Sequence, residues 1–234
     1  MNCRRHFIKT SLLFAPVIFY PKLIYSKPDQ LKKVLLLGDS ISIGYTPFVQ
    51  DLLKHLAVVS RPMLANGRAE NCQGTNNGVA NIRRWIGDTK WDLIHFNFGL
   101  HDLKHVDSIT GENSDNAEDP LQADLKQYKK NLKKIVEELK QTGADLIFAT
   151  TTPYPDTVSN PLRDPGMSEK YNRVAIKIMN KNNIGINDLY TFAEPRLDEI
   201  QIPDNVHFTE DGYRQLAKKV ADRITERIEY PQYR

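Results

Sequence analysis

KKVLLLGDS, Lys32 to Ser40, joins an unbroken apolar run to a glycine and two small polar side chains. Val34 to Leu37 offers no polar position to a solvated face. That is the pattern of a strand covered on both sides in a parallel sheet. Gly38 closes the run. SIGYTPFVQDLLKHL, residues 42–56, follows with helical spacing. A buried strand that turns directly into a helix is the first half of a βαβ unit.

The same alternation continues to the end of the chain. AVVSRPM, residues 57–63, reads as a second strand limited by Pro62, and NGVANIRRWIGD, residues 77–88, as a short helix ended by Gly87. WDLIHFNFG, residues 91–99, and ADLIFATTTP, residues 144–153, read as strands three and four. Between them LQADLKQYKKNLKKIVEELKQTG, residues 121–143, is a long amphipathic helix closed by Gly143. SEKYNRVAIKIMNKNN, residues 168–183, is another helix, and IGINDLY, residues 184–190, a short fifth strand. TEDGYRQLAKKVADRITERI, residues 209–228, closes the chain as a helix with Thr209 as its N-cap.

Right-handed crossovers between these strands predict an α/β protein, a three-layer α/β/α sandwich on a parallel, flavodoxin-like five-stranded sheet. In such sheets ligands sit beyond the carboxyl ends of the strands. Gly38 to Ser42, Asn97 to Asp102, and the loop after Thr152 are therefore expected to meet. Two irregular segments leave the same edge. Residues 104–120 are polar and acidic, and residues 153–167 are rich in proline. Both are expected to border substrate.

The chain has 234 residues and a formal charge of +3, with both signs interspersed and no basic stripe. This argues against a nucleic-acid partner. Residues 1–28 carry Arg4-Arg5-His6-Phe7-Ile8-Lys9 near their start and continue into a short apolar run from Leu12 to Tyr20. A basic start and a run too short to span a bilayer read as a signal peptide, with a twin-arginine pattern. Residues 29–234 are then one domain, exported to the periplasm or cell exterior of a bacterium, with no stable membrane span in the mature chain. Cys3 falls in the signal segment and Cys72 stands alone, so no disulfide is expected. The sequence has no Cys/His metal cluster, and neither a metal nor an organic cofactor is expected.

Ser40 is expected just past a buried strand, at a helix start whose backbone N–H groups can hold an anion. Asp39-Ser40 could equally serve as a cap alone. IPDNVHFTEDG, residues 202–212, holds Asp204 and His207 three apart, before the last helix. A tight turn at that spacing can bring the carboxylate to Nδ1 and leave Nε2 as a base toward a serine. His95 lies in an apolar strand and reads as a core histidine. His55 and His105 read as surface residues.

G-D-S after the first strand, with D-x-x-H before the last helix, resembles the SGNH, or GDSL-type, hydrolase family. The resemblance runs from about Lys33 to Ile228 and is closest to exported carbohydrate esterases. It implies Ser40 as nucleophile, with His207 and Asp204 completing a triad. It also implies an oxyanion hole from the Ser40 amide, from Gly74 of ENCQGTNNG (with Gly78 as competitor), and from the third motif. There GLHD, Gly99 to Asp102, stands where the family carries G-x-N-D, so His101 replaces the asparagine; Asn97 is the alternative donor. Asp39, Asp102, Thr152 and Tyr154 are candidates for substrate contact. The expected activity is hydrolysis of small acyl esters, acetyl above all, on a carbohydrate, through an acyl-enzyme. Glycan O-acetyl transfer, lysophospholipase or thioesterase activity, and a non-catalytic carbohydrate-binding domain are the alternatives.

Overall fold

A computed structural model describes residues 30–230. The expectations about the signal segment fall outside the described residues. Five parallel strands, β1 (Lys32–Leu37), β2 (Ala57–Ser60), β3 (Leu93–Phe96), β4 (Asp145–Ala149) and β5 (Gly185–Asn187), pair in the order β2-β1-β3-β4-β5. This is the flavodoxin-like order. The helices are α1 (Ser40–Leu53), α2 (Thr75–Ile86), α3 (Leu125–Gln141), α4 (Met167–Lys181), α5 (Leu189–Ala193), α6 (Leu197–Ile200) and α7 (Glu210–Glu229). Right-handed crossovers put α1 on one face and α2, α3 and α4 on the other. The packing agrees: α1 lies against α7, α2 against α3, and α3 against α4.

Val34 to Leu37 are at most 2% exposed, so the central strand is covered on both faces, as its unbroken apolar run requires. Chain direction reverses about β1, since β2 lies on one side and β3 on the other. The crevice beyond their carboxyl ends is the place where such sheets bind ligands. Register sets what stands there: Leu37 pairs with Phe96, and Asn97 N–H donates to the Leu37 carbonyl at 2.9 Å. The loop after β3 is thus held beside Ser40.

α1 begins at Ser40, not Ser42, because the Asp39 carboxylate accepts from Ile41 N–H at 2.9 Å and caps the helix. α2 begins at Thr75, with Gly74 at its N-cap. The short α5 and α6 form between β5 and the His207 loop, where no amphipathic repeat is long enough to mark them in advance. α3 buries Tyr128, Leu132, Ile135, Val136 and Leu139 along one stripe and leaves its lysines outside. Each such side chain contributes about 1.5–3 kcal/mol on burial.

The two irregular segments order each other. Lys104 and Arg163 form an isolated antiparallel bridge, and His105 N–H donates to the Leu162 carbonyl at 2.9 Å. Among the described residues no helix is long and apolar enough to cross a membrane.

Candidate active site

Ser40 opens α1 at the crevice, and His207 reaches it from the loop before α7. Ser40 Oγ lies 2.9 Å from His207 Nε2. The His207 loop is pinned by its own backbone: Ile202 N–H donates to the His207 carbonyl at 2.9 Å, and Gln201 bridges Phe208. Asn205 Oδ1 accepts from the His207 backbone N–H at 2.9 Å and lies 2.8 Å from His207 Nδ1. The backbone bond identifies that atom as the amide oxygen, which only accepts. Nδ1 therefore carries the proton, and Nε2 keeps a lone pair toward the serine hydroxyl. Burial, with Arg163 nearby, lowers the His207 pKa and favours this neutral form.

The partner of Nδ1 is thus not Asp204, and that expectation is corrected. Asp204 is exposed, at a left-handed φ of 53°, and makes no hydrogen bond to His207. The turn runs from the Ile202 carbonyl to Asn205 N–H. With Asp204 spent on the left-handed position, the next side chain folds back under the imidazole. An asparagine bonding the N–H two residues on is an Asx-turn. That local habit is the signal in N-x-H which a reading of D-x-x-H passes over.

Three loops converge around this pair. Cys72 N–H donates to the Gly38 carbonyl at 3.1 Å, which ties the segment before α2 to the β1–α1 turn. The Asp102 carboxylate accepts from Thr75 N–H at 2.8 Å and from the Thr75 hydroxyl, tying the same segment to the β3 loop. A Cβ on Gly74 would lie 2.8 Å from Gln122 Nε2 and 3.1 Å from the Asp102 carboxyl, so a larger residue would have to push the Gln122 amide aside and crowd Asp102. The Gly74 amide has no acceptor among the described residues. Gly78 is buried inside α2, against Phe98 and Ile135, and offers no free amide to the crevice.

His101 lines the same cleft as Ser40 and His207. Burial, reinforced by nearby Lys104, Arg163 and His207, pulls its pKa down to about 3. The imidazole is therefore neutral at every working pH. Its Nδ1 is sealed with no partner among the described residues, which leaves Nε2 as the nitrogen facing the cleft.

Several expected contacts are structural instead. Asn97, the alternative donor, gives its amide N–H to the Ala149 carbonyl at 2.8 Å and borders a separate, very small pocket, not the cleft. Asp39 is 1% exposed and spends one oxygen on the α1 cap. Asp102 is fully buried, and burial raises its pKa to about 7. Thr152 is buried, its carbonyl bound by the Ser168 hydroxyl at 3.0 Å. Tyr154 is buried with its hydroxyl donating to the Asp164 carbonyl at 2.7 Å. None of the four lines the cleft. His95 is fully buried, as a core histidine should be. His105 is buried too, which corrects its surface reading; its Nδ1 sits 2.7 Å from the Asp119 carbonyl.

The cleft itself measures about 360 Å³ and is lined by groups the sequence did not single out: Asn71, Lys104, Asn113, Asn160 and Arg163. Among the described residues no group of three or more His, Cys, Asp or Glu side chains is arranged to hold a metal ion.

Residues 36–215 match the GDSL-like Lipase/Acylhydrolase family. A comparison with curated sequences yields no match. Among solved structures, the fold is similar to a lipase/acylhydrolase from Enterococcus faecalis, with TM-score 0.65 and 23% identity over 84% of this chain and 97% of that one. It is similar to an acetyl xylan esterase, AlAXEase, with TM-score 0.64 and 18% identity over 82% and 99%. A catalytic mutant of an acetylxylan esterase from Geobacillus stearothermophilus gives TM-score 0.63 and 17% identity over 87% and 96%. With a matched span that runs from the end of β1 through the G-D-S turn to the D-x-x-H loop, the chain belongs to the GDSL-like lipase/acylhydrolase family and is a serine ester hydrolase.

Proposed function

We propose that the chain removes small acyl groups, acetyl above all, from a carbohydrate, with Ser40 as nucleophile and His207 as its base. The 2.9 Å contact between Ser40 Oγ and His207 Nε2, with Nδ1 tied to Asn205, carries the reading. His207 takes the hydroxyl proton as Ser40 attacks the ester carbonyl. Asn205 holds the ring and its tautomer. The Ser40 and Gly74 amides, with His101 Nε2–H, receive the oxyanion. His207 then protonates the leaving alcohol, and water repeats the sequence on the acyl-enzyme.

A neutral His101 suits its role, because a donor that never gains charge works equally well across the pH range. The cleft supports a sugar more than a lipid. It is open, and the amides of Asn71, Asn113, Asn160 and Asn205 stand in its lining beside charged groups, where a long acyl chain would need an apolar channel. The acetyl xylan esterases among the structural neighbours point the same way. The signal-like pattern of residues 1–28 supports work outside the cytoplasm.

Release of acetate from acetylated glycans and from p-nitrophenyl acetate tests this. Ser40→Ala should lower kcat by at least about 10³-fold. His101→Ala should lower it about 10²–10³-fold, the loss that follows removal of one oxyanion donor. Glycan binding by the wild type without turnover would instead mark a binding domain.

A further inference from the structure

Two cations stand side by side in the cleft wall, with Glu112 acting on Lys104 and Asp39 on Arg163 only at longer range and neither held in a direct ion pair. Lys104 is 9% exposed and Arg163 is 5% exposed. They are partners in one antiparallel bridge, so their side chains leave the same face. Both line the cleft that holds Ser40 and His207.

Their hydrogen bonds go to neutral oxygens. Lys104 Nζ donates to Asn113 Oδ1 at 2.6 Å. Arg163 Nε donates to the Leu100 carbonyl and Nη1 to the Pro161 carbonyl, each at 3.2 Å. Among the described residues no carboxylate forms an ion pair with either side chain, and Arg163 Nη2 makes no hydrogen bond. Asp204 lines the same cleft and pairs with neither. Placing two like charges together in a half-dry wall costs free energy that an incoming anion recovers. The chain accepts that cost where the two long loops close over the active site, one cation from each loop. A guanidinium fork with a free end, beside an ammonium, matches a carboxylate.

We propose that Lys104 and Arg163 form an anion subsite next to the acyl-transfer centre, and that the ester is carried by an acidic saccharide whose uronate carboxylate sits between them. The amides of Asn71, Asn113 and Asn160 then face the sugar hydroxyls. The proposal rests on the esterase reading above and narrows its substrate.

Steady-state kinetics on four esters tests it: O-acetylated oligogalacturonate, O-acetylated xylo-oligosaccharide, acetyl glycerol phosphate and p-nitrophenyl acetate. The wild type should favour the uronate ester over the neutral xylo-ester by at least tenfold in kcat/KM, and raising salt from 20 to 200 mM should shrink that preference. Lys104→Gln should cut the ratio about tenfold, mostly through KM, and Lys104→Glu should invert it. Arg163→Gln should act in the same direction; if it fails to fold, the two Lys104 variants decide. Equal turnover of uronate and neutral esters would overturn the subsite and leave the esterase standing. A preference for the phosphate ester over the uronate would overturn the acidic saccharide in favour of a lipid-type headgroup. Failure to hydrolyse any ester, p-nitrophenyl acetate included, would overturn the esterase reading and the subsite with it.

Discussion

His207 is oriented by an amide oxygen where a carboxylate was expected. The difference has a measurable consequence. An amide fixes the tautomer as a carboxylate does, but it stabilises the imidazolium less because it carries no full charge. Asn205→Ala should therefore lower kcat/KM on p-nitrophenyl acetate by at least about 10²-fold, while Asn205→Asp keeps or raises it. Asp204→Ala should stay within about threefold of the wild type, because Asp204 makes no bond to the ring. The reverse pattern, with Asp204 critical and Asn205 dispensable, would reject the assignment. The pH profile belongs to the same side chain. Burial and Arg163 lower the His207 pKa, so the base form persists below the usual 6.5. The acid limb of kcat/KM should lie below pH 6.5. Arg163→Gln removes one of the two depressing influences and should move that limb upward. His101, already neutral down to about pH 3, should add no second ionisation between pH 4 and 9.

Ser40 and His207 belong to elements that must be held at a fixed separation, and the α1–α7 contact does this. Gly44 of α1 lies directly under the Tyr213 ring of α7: a Cβ built there would stand 2.2 Å from Tyr213 Cε1. Gly212 of α7 makes an equally close contact with α6, where a Cβ would stand 2.1 Å from the Ile200 carbonyl oxygen. Gly44→Ala should cost about 1–3 kcal/mol by overpacking. It should also lower kcat, because relief comes from sliding α7 and with it the His207 loop. Thermal melting and turnover measured on the same preparation check this. An unchanged melting temperature with full activity would mean that Tyr213 swings aside freely.

The molecule as a whole stores two opposite protonation preferences in its interior. His95 and His101 are held neutral, their pKa values lowered to about 3 by burial. The unfolded chain takes up their protons near pH 6.5 and the folded one does not, so their contribution to stability is lost as pH falls from 6.5 toward 3. Asp102 runs the other way. Its pKa is raised from 3.8 to about 7, so the unfolded chain releases that proton first, and stability is lost as pH rises from 3.8 toward 7. Asp102→Asn removes that loss and keeps an oxygen for Thr75. The gain in denaturant midpoint over the wild type should be larger at pH 8 than at pH 4. At about 1.36 kcal/mol per unit, the difference is at most about 4 kcal/mol. An equal change at both pH values would show that Asp102 is ionised in the fold throughout.

The strands were legible because burial on both faces forces a run of apolar residues, and Val34 to Leu37 has no polar position. Ser40 and His207 were legible because each stands at a strand or helix boundary, where the backbone leaves a side chain in the crevice. Four assignments failed for one shared reason. Asp39, Asp102, Thr152 and Tyr154 follow strands as site residues do, but whether such a residue faces the cleft or turns inward depends on what the neighbouring loops bring against it. Asp102 turned inward to bind Thr75, and Tyr154 to bind the Asp164 carbonyl. The sequence by itself determined the alternation of strands and helices, and with it the edge of the sheet where chemistry had to sit, since periodicity and caps are properties of adjacent residues. Only the tertiary structure decided that Asn205 and not Asp204 lies under the imidazole, because the handedness of one turn selects between them. Only it placed Lys104 beside Arg163, because that pair exists through hydrogen bonds between two loops far apart in the chain.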